Sequence, residues 1–284
     1  MKKMILIIII YLCIIKLPSY AENSDEKRKD YSKLVNAIYG NNLEGVGGTG
    51  LFNPSAYFKD EEALYMQLSI WGGSLNKNKF EWSTLGWTIN IFTMEVSSSF
   101  ERIAKKTVDN TYDLIWKSNY GFKLSLLKEN YKGLQYIPEI SFGTIYKDTD
   151  TDLILDEARD NSFDFYLVGT KTFTLLPKPL IFSVGLLSTR GQATGIYGFN
   201  GNRDETIFAN IDLFVSKDFM IGFEYKEGAS FPNLKNEDYW DVHVTHTFRK
   251  NVTGSFAYID AGDETSTAKM GLGDGAFANI HILF

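Results

Sequence analysis

Cysteine is almost missing from this chain. Its 284 residues include one, Cys13, inside an apolar run near the N-terminus. Lys2 and Lys3 precede that run, which extends from Met4 to Ile15, and Lys16, Pro18 and the small-residue pattern Ser19-Tyr-Ala21 end it. This order of charge, apolar run and small residues predicts a signal peptide cut after Ala21. Lipidation of Cys13 is disfavoured by Leu12, which stands where a small residue is expected. The mature chain should then hold no thiol, which excludes disulfides and a cysteine nucleophile. Basic charge is short as well: loss of Lys2, Lys3 and Lys16 leaves 26 Lys and Arg against 35 Asp and Glu. Phosphate binding needs a basic surface, so nucleic acid is excluded as a partner. No stretch after residue 21 has the roughly 20 apolar residues of a membrane helix, and there are only six prolines.

Aromatic residues are abundant: 21 Phe, 16 Tyr and 5 Trp. They occur in segments with a period of two. Leu64, Met66, Leu68 and Ile70 alternate with Tyr65, Gln67, Ser69 and Trp71; Trp87, Ile89 and Ile91 alternate with Thr88, Asn90 and Phe92. Leu180, Phe182, Val184 and Leu186 alternate with Ile181, Ser183, Gly185 and Leu187. Ile207, Ala209, Ile211, Leu213 and Val215 enclose Asn210 and Asp212; Phe219, Ile221, Phe223 and Tyr225 enclose Gly222 and Glu224; Trp240, Val242 and Val244 enclose Asp241 and His243. One face apolar and the other polar fits lipid outside and a hydrated lumen inside. In the segment near 162–175 the reading is ambiguous, because Phe163, Phe165, Leu167 and Phe173 share a face with Lys171.

Turn chemistry gives a second indication. Short turns near Thr93–Met94, Lys128–Gly133, Pro177–Pro179, Ser216–Asp218 and Arg249–Asn251 alternate with longer loops near 72–82, 104–113, 147–161, 189–204, 227–237 and 261–273. Strict alternation is expected of periplasmic turns and extracellular loops. The chain ends on Ala278-Asn-Ile-His-Ile-Leu-Phe284, an alternating segment with a terminal aromatic, as in the closing strand of an outer-membrane barrel. The fold class expected is all-β: a transmembrane antiparallel β-barrel of about twelve strands. A soluble β-sandwich alternates in the same way but has no need of regular loop alternation or an aromatic terminal strand. The expected division is a signal peptide at 1–21, a periplasmic N-terminal segment at 22–58 that could enter the lumen as a plug, and the barrel at 59–284. An even strand number puts both termini in the periplasm and the chain in the bacterial outer membrane.

Several motifs have plainer readings than their letters suggest. Gly45-Val-Gly-Gly-Thr-Gly50 matches the dinucleotide fingerprint, yet Leu51-Phe-Asn-Pro54 follows where a helix is required. Asp148-Thr-Asp-Thr-Asp152 opens like a calcium loop, but Leu153 and Arg159 replace its glycine and its bidentate glutamate. A solvated acidic loop is the plain reading, and divalent-ion bridging to lipopolysaccharide the alternative. The three histidines, His243, His246 and His281, have no serine close by on their own faces, so a phospholipase arrangement is not supported. Asp241 and His243 share a face, but nothing fixes their partners. No catalytic residue, cofactor or metal site is assigned, and the chain is read as a non-enzyme.

Parity places Glu95, Glu101, Glu139, Asp212, Glu224 and Asp241 in the lumen, against Lys123, Lys226 and His243. Such groups form structural ion pairs across strands or line a charged channel. About eight strands fill with side chains and sixteen leave a channel, so about twelve predicts a narrow or plugged pore. Lys27, Arg28, Lys29 and Lys33 could seat the N-terminal segment against the lumen carboxylates.

Two stretches carry a family resemblance. Gly48-Thr-Gly-Leu-Phe-Asn-Pro-Ser-Ala56 is one; Tyr120-Gly-Phe-Lys-Leu-Ser-Leu-Leu-Lys-Glu-Asn-Tyr131 with Tyr136-Ile-Pro-Glu-Ile-Ser-Phe-Gly143 is the other, and Phe219-Met-Ile-Gly-Phe-Glu-Tyr225 weakly echoes later strands. They resemble the YjbH-like outer-membrane proteins associated with exopolysaccharide production, although this chain is shorter than the fuller members. The resemblance implies a barrel connected with envelope polysaccharide secretion and supplies no catalytic residues. The functional expectation is a narrow porin-like channel or an export accessory for a small polar solute or polysaccharide, with lumen candidates Glu95, Lys123, Glu139, Asp212, Glu224, Lys226, Asp241 and His243. The alternative is a closed structural or adhesive barrel with binding loops; an outer-membrane lipase or protease ranks below both. Expected partners are outer-membrane lipid, lipopolysaccharide and the barrel-insertion machinery.

Overall fold

The computed structural model describes residues 53–58, 64–75, 79–107, 109–150, 158–174, 178–231, 234–262 and 269–284, with the backbone alone at Leu234 and Lys269. The expected signal peptide at 1–21, the basic cluster, the glycine run at 45–50 and Asp152 lie outside the described residues.

Period-two segments can hide their polar side only by rolling the sheet into a ring. Twelve strands do so: β1 (Tyr65–Leu75), β2 (Phe80–Ile91), β3 (Met94–Lys106), β4 (Tyr112–Leu127), β5 (Glu139–Asp150), β6 (Asn161–Phe173), β7 (Leu180–Gly191), β8 (Phe199–Phe214), β9 (Phe219–Lys226), β12 (Tyr239–Arg249), β13 (Val252–Asp260) and β15 (Asp274–Leu283). Each pairs antiparallel with its neighbours, and β15 returns to β1, giving a closed barrel. The closing register runs from Gln67 opposite Leu283 to Leu75 opposite Gly275, and the Phe284 amide donates to the Met66 carbonyl at 2.9 Å. Three short strands, β10 (Ser230–Phe231), β11 (Leu234–Asn236) and β14 (Lys269–Met270), form a separate sheet from two connections at one end.

Outward side chains are apolar and exposed, among them Ile70, Leu85, Val96, Phe100, Leu167, Leu186, Ile211, Val242 and Ile280. Asn90, Ser97, Asn119, Ser183, Thr245 and Asn279 point inward and are buried. This inverts the arrangement of a water-soluble protein and suits lipid as the outer solvent. Aromatic contacts band the outer face: Tyr120 with Tyr146, Tyr146 with Phe163, Phe223 with Trp240, and Trp240 with Tyr258.

The two ends differ, but not by strict alternation. At the end that holds the C-terminus, residues 92–93 and 250–251 make two-residue turns, whereas 128–138 takes eleven residues; at the opposite end, β1 and β2 are joined by only 76–79. The 128–138 connection is long because it packs. Glu129 Oε1 accepts from the Thr172 amide at 2.8 Å and pairs with Lys171 Nζ at 3.0 Å, and Lys171 also donates to Asn130 Oδ1 at 2.6 Å. The ambiguity at Lys171 is thereby resolved. It shares the apolar face of β6, but it sits at the turn end, where a neighbouring connection covers and neutralises it. We call the two ends the turn end and the loop end.

The lumen is filled. Connection 192–198 folds inward at the loop end, with Gln192, Ala193, Thr194, Ile196 and Tyr197 all buried. It joins one apolar cluster with Trp71, Trp82, Phe277 and Ile259. Residues 53–58 occupy the interior nearer the turn end, where Ala56 packs in a second cluster with Ile145, Tyr166, Val168, Leu187 and Phe208.

Candidate functional site in the barrel lumen

Alternation alone puts side chains inside; register decides which of them meet. β3 and β4 place Glu95 opposite Lys123 and Glu101 opposite Lys117. Lys123 Nζ lies 3.0 Å from Glu95 Oε2, and Lys117 Nζ lies 3.2 Å from Glu101 Oε1, all four side chains fully buried. Glu101 also accepts from Trp82 Nε1 at 2.9 Å and from Asn119 Nδ2. Lys147 of β5 reaches diagonally to Asp164 of β6 at 3.0 Å. These directly opposed or diagonal pairs are the sheet's ordinary cross-strand contacts, here removed from water.

His243 makes a longer connection. Its Nδ1 lies 2.7 Å from Asp241 Oδ1 on its own strand, and its Nε2 lies 2.9 Å from Asp212 Oδ1 on β8. Strand β9 runs between β8 and β12, and the residue it places between Asp212 and His243 is Gly222. A Cβ there would collide with Asp212 Oδ1 and His243 Nε2, so the absent side chain leaves the gap through which they meet. Glu224 sits between Asn210 and Asp241, Lys226 between Phe208 and Tyr239, and Glu139 opposite Thr170. All eight lumen candidates read from the sequence are buried inside the ring. They do not form one cluster: Glu95 with Lys123 and the Asp212–His243–Asp241 set belong to separate parts of the wall.

Parity would also have identified Lys117 and Lys147, which share faces with Lys123 and Glu139; Asp164 lies in the segment read as ambiguous, and His281 in the closing strand, where no lumen residue was assigned. The Nδ1 of His281 lies 2.8 Å from Gln67 Nε2 and 2.7 Å from Ser69 Oγ. Residues 53–58 gave no such signal, since they belong to no strand. Asn53 Nδ2 donates to Asn210 Oδ1 and to the Tyr225 carbonyl, both at 2.9 Å. The Ala56 amide donates to Thr170 Oγ1 and Ser141 Oγ donates to the Ala56 carbonyl, each at 2.8 Å. Lys123 Nζ, besides its ion pair, donates to the Tyr57 carbonyl at 2.8 Å and lies 4.4 Å from the centre of the Phe58 ring. The Tyr57 hydroxyl donates to Glu129 Oε2 at 2.8 Å, tying this segment to the 128–138 connection.

Among the described residues no group of three or more His, Cys, Asp or Glu side chains has the geometry to hold a metal ion. Asp148 and Asp150 point outward and are exposed. The His243 set has a base-like ring and two carboxylates, but Gly222 and Ala257, the residues opposite His243 on the neighbouring strands, offer no nucleophile.

No curated protein matches the chain. Among solved structures it is similar to the KdgM porin, with 11% identity over 77% of this chain and 99% of that one, at a TM-score of 0.50. Other matches are the NanC porin (10% identity, 76% and 98% covered, TM-score 0.46) and the outer membrane protein Omp33 of Acinetobacter baumannii (10%, 78% and 99%, 0.45). At these identities the likeness concerns the fold. The resemblance to the YjbH-like group rests on the quoted stretches alone, whereas the family comparison matches residues 40–272 to another description: the chain belongs to the DUF3034 family, "Protein of unknown function".

Proposed function

We propose that this chain is a non-enzymatic, porin-like channel of the bacterial outer membrane, held closed by two inward segments, 53–58 and 192–198. The observation that carries this reading is the lumen wall: Glu95, Glu101, Lys117, Lys123, Lys147, Asp164, Asp212, Asp241 and His243 face an enclosed space. A barrel needed only as a scaffold could fill its centre with apolar side chains, because removing charges from water is unfavourable even when they pair. The paired groups become a hydrated, charge-lined path once the segments withdraw. Both segments are seated by side chains rather than by the ladder of the barrel, so either can leave without unpairing a strand.

In this reading both termini face the periplasm, and residues 22–58 form the segment whose described end lies in the lumen. Outer-membrane lipid and lipopolysaccharide surround the barrel, and the insertion machinery recognises the β15 end. The solute is small and polar or a polysaccharide, as the YjbH-like resemblance implies and as the oligogalacturonate named with one KdgM structure illustrates for that porin. The complete burial of the lumen groups favours a second reading, a permanently closed barrel that acts through its loops.

Planar-bilayer recording separates the two. The mature protein should show rare openings, and replacing residues 192–198 by two glycines together with deletion of residues 22–58 should produce sustained conductance whose ion preference changes with Glu224→Gln. Silence in both proteins, with the barrel intact, would leave the closed-barrel reading.

A further inference from the structure

Three strands adjacent in the ring, β15, β1 and β2, carry Phe277, Trp71 and Trp82 on their lumen faces toward the loop end. The Trp71 and Phe277 ring centres lie 4.6 Å apart at 89°, and those of Trp71 and Trp82 lie 5.1 Å apart. Gly73, opposite Phe277, leaves the space that the phenyl ring occupies across β1. Polar groups accompany this aromatic wall. Trp82 Nε1 is held by Glu101, whereas Trp71 Nε1 is buried and has no hydrogen-bond partner among the described residues. Nearer the turn end the same strands change character: Ser69 and Gln67 follow on β1, Thr84, Thr88 and Asn90 on β2, and Asn279 on β15, with Ser99 and Ser97 beside them on β3. A track thus runs along one side of the lumen, aromatic first, then hydroxyl and amide.

The wall is covered by the chain itself. Ile196 and Tyr197 of the inward connection belong to its apolar cluster. Their seat is a bent segment in which Ala193 (φ 46°) and Thr194 (φ 61°) both adopt the left-handed region disfavoured for side-chain-bearing residues. Polar contacts that hold it include Thr149 Oγ1 to the Gly195 carbonyl at 2.8 Å, the Ala193 amide to Asn236 Oδ1 at 3.1 Å, and Lys147 Nζ to the Thr194 carbonyl at 3.5 Å.

We infer that the Trp71–Trp82–Phe277 wall is a carbohydrate subsite, uncovered when residues 192–198 withdraw; the inference rests on the channel reading. A pyranose ring presents an apolar C–H face, which stacks on indole, and a rim of hydroxyls that can accept from Trp71 Nε1 and donate to Glu101. Hydrocarbon matches the wall but leaves the buried Trp71 Nε1–H without an acceptor. An acidic sugar finds no matching charge along that track, where Lys123 and Lys117 are already paired with Glu95 and Glu101. The ligand class is therefore a neutral oligosaccharide, which slides from stacking contacts onto hydrogen bonds as it moves toward the turn end.

The test uses the mature protein and the variant with residues 192–198 replaced by two glycines, both in a detergent without a sugar headgroup. Maltohexaose is titrated while tryptophan emission is followed, with oligogalacturonate and laurate as competing classes. The opened variant should give a saturable response, weakened about tenfold by Trp71→Ala, the loss expected for one aromatic stacking face, and largely kept by Trp82→Phe. An unresponsive opened variant with native circular dichroism, a response indifferent to Trp71→Ala and Trp82→Ala, or tighter binding of laurate or oligogalacturonate overturns the inference. Bilayer recording keeps the two proposals apart. Open channels that maltohexaose does not block remove the subsite and spare the channel, whereas saturable binding to an electrically silent barrel removes the channel and spares the subsite.

Discussion

At Gly222 the lack of a side chain is a structural element. The imidazole of His243 spans the width of β9 to reach Asp212, and only a ring with protons on both nitrogens can donate to Asp212 and Asp241 together. A methyl at Gly222 intrudes on both ends of that bridge. Gly222→Ala should therefore destabilise the barrel by about 1–3 kcal/mol, the usual range for overpacking, measured as the urea midpoint in detergent micelles. In a His243→Ala background the same substitution should cost clearly less, because the colliding ring is gone. The Glu95–Lys123 pair makes a parallel case. Lys123→Met leaves a buried carboxylate and removes a donor to residues 55 and 57, so a loss of about 3–5 kcal/mol is expected. The double change Glu95→Gln with Lys123→Met should recover part of it. Lumen residues were legible in the sequence because a period of two decides the face. Their pairing was not, because it depends on register, and Gly222 as a bridge site depends on two neighbours distant in sequence.

Elements were legible where they alternate and obscure where they do not. The strands around Gln67, Asn90, Asp212, Glu224 and His243 follow their predicted faces, while residues 53–58 and 192–198 have no periodicity that would announce an inward course. Connection length also misled: 128–138 is long because Glu129 neutralises Lys171 and Asn130 accepts a hydrogen bond from it, and 76–79 is short because β1 and β2 continue their ladder almost to the rim. The docking of 53–58 is testable without function. Asn53→Ala removes one donor and leaves Asn210 Oδ1 and the Tyr225 carbonyl without it, at a cost of about 1–3 kcal/mol for buried groups. Hydrogen exchange followed by mass spectrometry should show faster exchange across 53–58, with β8 and β9 still protected. Equal exchange in both proteins would mean that the other contacts, from Ser141, Thr170 and Lys123, hold the segment unaided.

For the whole molecule, the apolar outer face and the difference between the ends define how the barrel sits in a bilayer. Leu167, near the middle of β6, is exposed on the outer face. If lipid covers it, Leu167→Arg should cost about 2–4 kcal/mol in vesicles, the range for a cation near the bilayer midplane. The same change in a barrel that faces water would be nearly neutral. Orientation can be read with thiols: if Cys13 leaves with the expected signal peptide, any introduced thiol is unique. Gly201 lies at the loop end, where a new side chain meets nothing within 4 Å, and Lys132 lies exposed in the 128–138 connection at the turn end. With both termini in the periplasm, Gly201→Cys should react with a membrane-impermeant maleimide on intact cells. Lys132→Cys should react only after the outer membrane is permeabilised. The reverse pattern would place the inward connection 192–198 on the periplasmic side and residues 53–58 at the outer mouth, and the proposed entry of residues 22–58 from the periplasm would then be lost.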